Sequence, residues 1–391
     1  MYRNTRFRDL MKGLPRGSFE KIVDQQGNDK HNKGFTSWDQ LIAMIYAQVS
    51  GCESLRELKA SFNGHKEQHY HLGTREIKRS TLADANRNRS CELFEHVCGR
   101  LIGEAHRQVR SELKDLLYLI DSSPIPLKGL GYEEWTKDNH NYRTQGLKVH
   151  MIYAPKQELP VQMKMTAPNI NDVEVGRETE IEEGATYVFD KGYYDYNWWY
   201  EIEQNNAKFV TRFKSNASVE SVKNIMSSEP DESEILKDEE VRFKHKRPGK
   251  NRINRYHGKS LRRVVVHRPD KKYPLILATN DFDRAAEDIA ELYKKRWGIE
   301  LFFKWLKQNL KIKKFLGRSE NAVKIQIYTA LITYLLAFNM RRREGNEGTM
   351  KHWFSALKST LFQRTEIESY SAKKRRRREK EFHHLQGNLA I

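Results

Sequence analysis

Cysteine is scarce in this sequence, with three in 391 residues. Cys52, Cys91 and Cys98 are too few, and odd in number, for a disulfide framework, so a bridge-stapled secreted scaffold is excluded. Long apolar runs are missing too. The longest uncharged stretch, 325–340, includes Gln326, Thr329 and Thr333. It falls short of the ~20 apolar residues that span a bilayer, so a buried core helix is expected and no membrane partner. The first residues, MYRNTRFRDLMKGLPRG, are charged throughout and lack the apolar core of a signal peptide. A reducing, cytoplasmic setting is the expectation. What is plentiful is apolar and aromatic side chains, at 38% and 11%, enough to exclude wholesale disorder.

Charge is distributed unevenly. The chain carries 70 basic and 52 acidic residues, a net of +18. Residues 1–110 are net +6, residues 111–213 net −6, and 242–272 hold 13 basic residues against the single acid Asp270. Lys and Arg in excess gain affinity for polyanions by releasing condensed counterions. An acidic centre between basic flanks is the charge pattern of a metal-using nuclease, in which carboxylates collect cations and the flanks hold phosphates. Solvated helix faces are the plain alternative, but the asymmetry of 242–272 is steep for that.

Along the chain, 35–62 reads as two helices, the first capped by Thr36 or Ser37 and closed at Ser50-Gly51. In 77–89, Ser80 or Thr81 begins a helix bearing Arg87 and Arg89, so a small helical DNA-binding unit is expected over 1–110. From 116 the pattern changes. LLYLID (116–121) is an apolar strand ending on an acid, broken by SSPIPL. GLKVHMIYA (146–154) and LPVQMKMTA (159–167) form a hairpin. An acidic helix (171–183) leads to TYVFD (186–190), a second strand ending on an acid. A Tyr/Trp-rich helix (195–204) and the strand AKFVTRF (207–213) complete a mixed α/β sheet over 111–213. A basic β-rich insertion over 214–283 is read as loop-like in 220–240. One long helix follows from 283 to 309 and another over 319–343, within a segment 284–345. The remainder, 346–391, is read as a helix and a basic disordered tail around KKRRRREK (373–380).

Asp121 and Asp190 each end a predicted strand. Adjacent in one sheet, they would bring two like charges together, and such a pair calls for cations, with Mg²⁺ favouring carboxylate oxygens. On the long helix, Tyr293, Arg296, Glu300 and Lys307 fall on one stripe at 3.6 residues per turn. Ion pairs on a solvent face give such stripes as well. An aromatic, a guanidinium, a carboxylate and an amine aligned along four turns also suit a DNA strand end. His65, His69 and His71 with the cysteines fit no usual structural zinc spacing. Trp198-Trp199 reads as packing of a helix on the sheet, and Gly146, Gly192 and Gly298 form no phosphate-cradling loop.

Tyr293-x2-Arg296-x3-Glu300-x6-Lys307 resembles the Y-R-E-K signature of the insertion-sequence-four family of bacterial DDE transposases. LIDSSPI around Asp121 and FDKGYYD around Asp190 are similar to that family's two aspartate motifs. FTSWDQL…SGCESLREL and YHLGTREIKRSTLADANRNR resemble the N-terminal region of one branch of it, so the likeness covers roughly residues 30–340.

The resemblance implies an RNase H-like catalytic domain, interrupted by a β insertion and preceded by the helical domain. It implies Asp121, Asp190 and Glu300 as catalytic metal ligands for two Mg²⁺ ions, with Mn²⁺ as substitute. Cleavage would pass through a DNA hairpin before strand transfer. The implied partners are double-stranded DNA, both terminal inverted repeats and target, and a second copy of the chain in a homodimer. Tyr293, Arg296 and Lys307 would contact DNA, with Arg87, Arg89, Arg252, Arg255, Arg262 and Arg263 as further contacts. A bacterial, nucleoid-associated protein is implied. One departure stands out: a relative holds a flipped base with a tryptophan in the insertion, and none occurs between Trp199 and Trp297. Tyr256, His257 and Tyr273 are the stacking candidates here. A domesticated, non-cleaving regulator and an RNase H-like host nuclease are the alternative readings.

Overall fold

Apolar residues recur at helical spacing through the first hundred residues, and helices form there. The computed structural model describes residues 5–30, 32, 34–110, 116–214, 216–226, 234–248, 253–310, 312 and 314–363. In chain order its elements are α1 (Arg6–Met11), α2 (Arg16–Gln26), α3 (Ser37–Ser50), α4 (Leu55–Gly64), α5 (Lys66–Leu72), α6 (Arg79–Asn88) and α7 (Glu92–Arg110). Next come β1 (Leu117–Pro126), α8 (Glu133–Thr136), β2 (Gly146–Ala154), β3 (Leu159–Thr166), α9 (Asp172–Arg177), β4 (Thr186–Phe189), α10 (Tyr196–Gln204) and β5 (Lys208–Arg212). The chain continues through β6 (Val219–Asn224), β7 (Ile235–Phe243), β8 (Leu261–Val266) and β9 (Leu275–Thr279). Last are α11 (Ala286–Lys295), α12 (Trp297–Asn309), α13 (Glu320–Arg343) and α14 (Met350–Thr360). Two compact units result, Met1–Leu101 with Leu306–Ile391, and Ile102–Trp305.

The first unit is helical. Thr36 caps α3 and closes a capping box with Asp39, which satisfies two otherwise orphaned backbone donors. The helix α6 begins at Arg79, ahead of both expected caps, and has no side-chain cap. At the centre lies α13, which packs against α1, α3, α6 and α14. It has the length and composition of a membrane span, yet 94% of its apolar window is buried within the protein. The hydroxyls of Thr329 and Thr333 donate to the carbonyls of Ile325 and Thr329, 2.7 Å each, so these two hydroxyls are satisfied inside the helix. Gln326 reaches sideways: its Oε1 accepts the Leu316 amide (2.8 Å) and its Nε2 donates to the Lys314 carbonyl (2.9 Å). The basic run 373–380 lies outside the described residues.

The second unit is built on one nine-stranded sheet of order β3-β2-β1-β4-β5-β9-β8-β7-β6. The strands β1, β4 and β5 run parallel, and every other pairing is antiparallel. Central parallel strands are covered on both faces, and Thr186–Phe189 is correspondingly buried at all four positions. The arrangement β3-β2-β1-β4-β5 is the mixed RNase H-like sheet that the motifs imply.

Several local expectations are corrected. SSPIP does not break β1, because Ser122 to Pro126 continue pairing with β2. The acidic helix shrinks to Asp172–Arg177. Within 220–240, residues 220–224 belong to β6 and 235–240 to β7, so these are strand rather than loop, and 227–233 lie outside the described residues. The strands of the 214–283 insertion join the same sheet through the β5–β9 pairing. Finally, 283–309 is not one helix. The chain breaks at Arg296, where i→i+3 contacts replace the α-helical ladder (Arg296 amide to Tyr293 carbonyl 3.1 Å, Ile299 amide to Arg296 carbonyl 3.2 Å).

Gly146 opens β2 at φ 143°, and a Cβ there would lie 2.3 Å from the Ile125 carbonyl oxygen. Gly146→Ala is expected to lower the stability of this unit by about 2–4 kcal/mol in denaturant melts, because backbone must move. Gly258→Ala, at φ 86° with open space around it, should cost only about 1 kcal/mol.

Candidate active site

Register places the two aspartates side by side. The last parallel pair between β1 and β4 is Ile120↔Phe189; Asp121 is the next residue of β1, and Asp190 directly follows the end of β4. Each carboxylate is held by the backbone that follows it. The Asp121 Oδ1 accepts the Ser122 amide (2.8 Å), and the Asp190 Oδ1 accepts the Lys191 amide (2.6 Å), capping a short 3-10 turn (Lys191–Tyr193).

Glu300 arrives on α12, and packing sets where. Ile299, Phe302 and Phe303 are buried. Phe302 stacks on Tyr153 of β2 with ring centroids 4.4 Å apart, and a Cβ on Gly298 would come within 3.4 Å of Leu119 in β1. Between the acids sits Arg296. Its guanidinium lies 2.6 Å from Glu300 Oε1 and 3.4 Å from Asp121 Oδ2. The Tyr293 hydroxyl is 3.5 Å from Asp190 Oδ1, and Arg296 lies over the Tyr293 ring at 5.9 Å. Asp121, Asp190, Tyr293, Arg296 and Glu300 are thus brought together, whereas Lys307 sits in the last turn of α12, seven residues past Glu300.

Burial pushes the Asp121 carboxyl up to about 6. Glu300 and Asp190 add to the rise, and the Ser122 amide and Arg296 oppose it. Burial also raises Tyr293 to about 12, with the Asp190 charge adding to it. For Arg296, burial works against the charge, but the Glu300 hydrogen bond and the Asp121 carboxylate outweigh it and hold the guanidinium above its ordinary value.

A family model for the transposase DDE domain matches residues 112–336, which contain the whole of this site. The chain belongs to the DDE transposases. A second model, for a domain of unknown function (DUF4372), matches residues 2–75. The transposase is 44% identical over 257 residues to the Sinorhizobium fredii protein y4zB, named as a transposase, covering 65% of this chain and 69% of that one. It is 27% identical over 259 residues to the protein named as the transposase of insertion sequence element IS5377 in Geobacillus stearothermophilus, 66% of each chain. Identity to the protein named for insertion sequence element IS4SA in a Synechocystis strain is 31% over 175 residues, 42% of this chain and 45% of that one. Among solved structures, a piggyBac transposase synaptic complex with hairpin DNA aligns at TM-score 0.48 and 11% identity, covering 92% of this chain and 80% of that one. The transposase is therefore an enzyme that cleaves DNA strands and transfers the cut end, with DNA as partner and divalent metal ions as cofactors.

The donor set suits a hard divalent cation: three carboxylates, one of them carrying a raised pKa in close like-charged company. As the side chains stand, no three acidic, histidine or cysteine groups among the described residues converge closely enough to cage an ion. Arg296 bridges Asp121 and Glu300.

The other sequence-predicted contacts divide sharply. Arg87 is exposed in the last turn of α6. Arg89 is half-buried, donating to the Phe35 carbonyl and to Gln40 (3.2 Å), with burial lowering its pKa. Arg262 is only 4% exposed. Its guanidinium grips Asp238 at 2.8 and 2.7 Å and donates to the carbonyls of Asp281 and Arg284, so it is committed inside the sheet unit. Arg263 is bound to Glu239 at 2.6 Å. Arg255 is exposed, paired with Glu201 (3.0 Å) and lying over the Tyr200 ring. Arg252 lies outside the described residues. Tyr256 is fully buried with its hydroxyl donating to Glu203, which removes it as a stacking candidate. His257 is exposed, and Tyr273 is 67% exposed with the Lys272 ammonium over its ring.

Sequence reasoning missed three features. Trp297, beside Arg296, is 57% exposed, and Leu301 one turn on is exposed too. In the helical unit, Arg56, Arg79 and Arg318 line a groove of about 560 Å³ floored by Leu55, Ala83, Phe315 and Leu316. Its one acid, Glu53, is paired with Lys314 at 2.6 Å. Asp172, read only as part of an acidic helix, lies 2.9 Å from the hydroxyl of Ser122.

Because the folded Asp121 holds its proton more tightly than an unfolded aspartate, the folded state binds more protons between pH 3.8 and about 6. Stability of the metal-free transposase therefore falls as pH rises through that window, by on the order of 2–3 kcal/mol from this group. Melts in chelator at pH 5 and pH 7.5 should show about half of that drop, roughly 1.4 kcal/mol, and Asp121→Asn should flatten it. An undiminished drop in the variant counts against this assignment.

Proposed function

We propose that Asp121, Asp190 and Glu300 are the catalytic carboxylates of a cut-and-paste transposase that hold two Mg²⁺ ions, with Mn²⁺ able to replace them. The observation carrying this reading is the parallel β1–β4 register, which makes the aspartates neighbours, together with Arg296 joining Asp121 to Glu300. When bound, the ions would activate the attacking oxygen and stabilise the leaving one in an in-line displacement at phosphorus. Arg296, engaged with the carboxylates without metal, is placed to turn to a DNA phosphate as they take up cations. Tyr293, its pKa raised to about 12, stays protonated at neutral pH and positions the strand through its hydroxyl rather than attacking it. Lys307 serves as a phosphate contact.

The substrate is the element's own terminal inverted repeat and then target DNA, with two ends brought together by a homodimer in a bacterial, nucleoid-associated setting. Cleavage passes through a hairpin, for which Tyr273 and His257 are the exposed base-stacking candidates of the insertion. The helical unit binds DNA through Arg87 and the arginine-lined groove. Arg89, Arg262 and Arg263 are engaged with protein partners instead.

The deciding experiment is cleavage of a labelled duplex carrying the terminal repeat, in Mg²⁺ and in Mn²⁺, beside Glu300→Ala. Wild-type cleavage with a hairpin product is expected, together with a loss of about 10³-fold or more in the variant. Specific binding with no product in either metal would overturn the catalytic reading. A separate measurement addresses the groove. Replacing Arg56, Arg79 and Arg318 by Ala should weaken duplex binding and reduce the slope of log affinity against log salt by about 2–3, near 0.9 per lost phosphate contact. An unchanged slope would remove the groove from the DNA path.

A further inference from the structure

Asp172 stands on the far side of β1 from Arg296. Successive side chains of a strand point to opposite faces, so Asp121 and Ser122 look opposite ways. The amide of Ser122 donates to Asp121 Oδ1 at 2.8 Å, while its hydroxyl donates to Asp172 Oδ1 at 2.9 Å. The same carboxylate oxygen lies 2.9 Å from the ammonium of Lys148 on β2. Lys148 is largely buried and also donates to the carbonyl of Ile170, which fixes the chain entering α9. The other oxygen, Oδ2, lies 3.3 Å from where a Cβ on Gly192 would stand. Gly192 is two residues past Asp190, inside the 3-10 turn that Asp190 caps. One carboxylate therefore touches the residue after Asp121 and packs against the turn that follows Asp190. His150 lines the same side, its Nδ1 3.7 Å from Asp172 and its Nε2 within 2.8 Å of the Thr166 hydroxyl.

We propose that Asp172, anchored by Lys148, is a positioning residue for metal binding that fixes the backbone presenting Asp121 and the turn presenting Asp190. It holds no metal itself, being on the opposite face of the strand. Its part is to keep the Ser122 amide aimed at one Asp121 oxygen, leaving the other for Arg296 or a cation, and to seat the Gly192 turn. Outer partners of this kind change metal affinity by about 10- to 100-fold when removed. The inference rests on Asp121 and Asp190 being metal ligands.

The test is Mn²⁺ binding to the full chain without DNA, followed through the paramagnetic resonance of the free ion, for wild type, Asp172→Ala, Ser122→Ala and Asp121→Ala. Duplex binding in chelator and the Mg²⁺ dependence of cleavage are measured alongside. Asp172→Ala is expected to weaken Mn²⁺ affinity about 10- to 100-fold and to raise half-saturating Mg²⁺ by a similar factor. Its maximal rate at saturating metal should recover to within a few-fold, and duplex binding in chelator should equal that of the wild type. Ser122→Ala keeps the amide but loses the anchor, so it should shift in the same direction; should Asp172→Ala fail to fold, it decides the matter. Unchanged Mn²⁺ affinity in both variants overturns the positioning role, provided Asp121→Ala loses affinity. Wild-type affinity in Asp121→Ala overturns the assignment of the site itself.

Discussion

Asp121 and Glu300 come together beside a largely apolar sheet, and what makes that pairing tolerable is the Arg296 guanidinium between them. Burying carboxylates beside one another raises the cost of ionising each, as the Asp121 shift records. A cation at hydrogen-bonding distance offsets it. Much of the neighbouring structure follows from the need to place that one cation: the helix break at Arg296, the Tyr293 ring beneath it, and the docking of α12 through Phe302 on Tyr153. An arginine suits this position because its planar fork reaches two carboxylates at once and it stays charged when half-buried.

Precision at the site comes from rigid elements rather than loops. Asp121 sits within a strand paired on both sides, and Asp190 follows directly on a strand buried at every position. Glu300 lies on a helix anchored by the buried side chains of Ile299, Phe302 and Phe303. Each acid is thus oriented by hydrophobic packing and backbone ladders that extend well beyond it, so side-chain freedom contributes little to their mutual placement.

The order of elements from 116 to 213 was legible in the sequence because periodicity changes sharply there, and strands with alternating or continuous apolar runs are hard to mistake. The aspartates were legible for the same reason, each closing an apolar run. What could not be read locally was set by tertiary partners. SSPIP looks like a strand breaker, yet β2 pairs with it throughout. The helical stripe of Tyr293, Arg296 and Glu300 runs unbroken in sequence, but Arg296 turns in to its carboxylates and the helix divides. The basic run 242–272 invited assignment to DNA, and its charge count is correct. Arg262 and Arg263 are nevertheless consumed by Asp238 and Glu239 on the neighbouring strand, a pairing that only register reveals. Asp172 went unnoticed because its partners Ser122 and Lys148 lie 50 and 24 residues away.

Arg262 has a further consequence. It ties β8 to the carbonyls of Asp281 and Arg284, the residues that lead into α11, and α11 delivers Tyr293. The four added strands are thus a foundation for the helix that carries Tyr293, although by sequence they look like a removable insert. Protein engineers seeking a minimal catalytic core could shorten the turns between these strands. Excising the strands themselves would undercut the helix on which the Y-R-E-K signature begins.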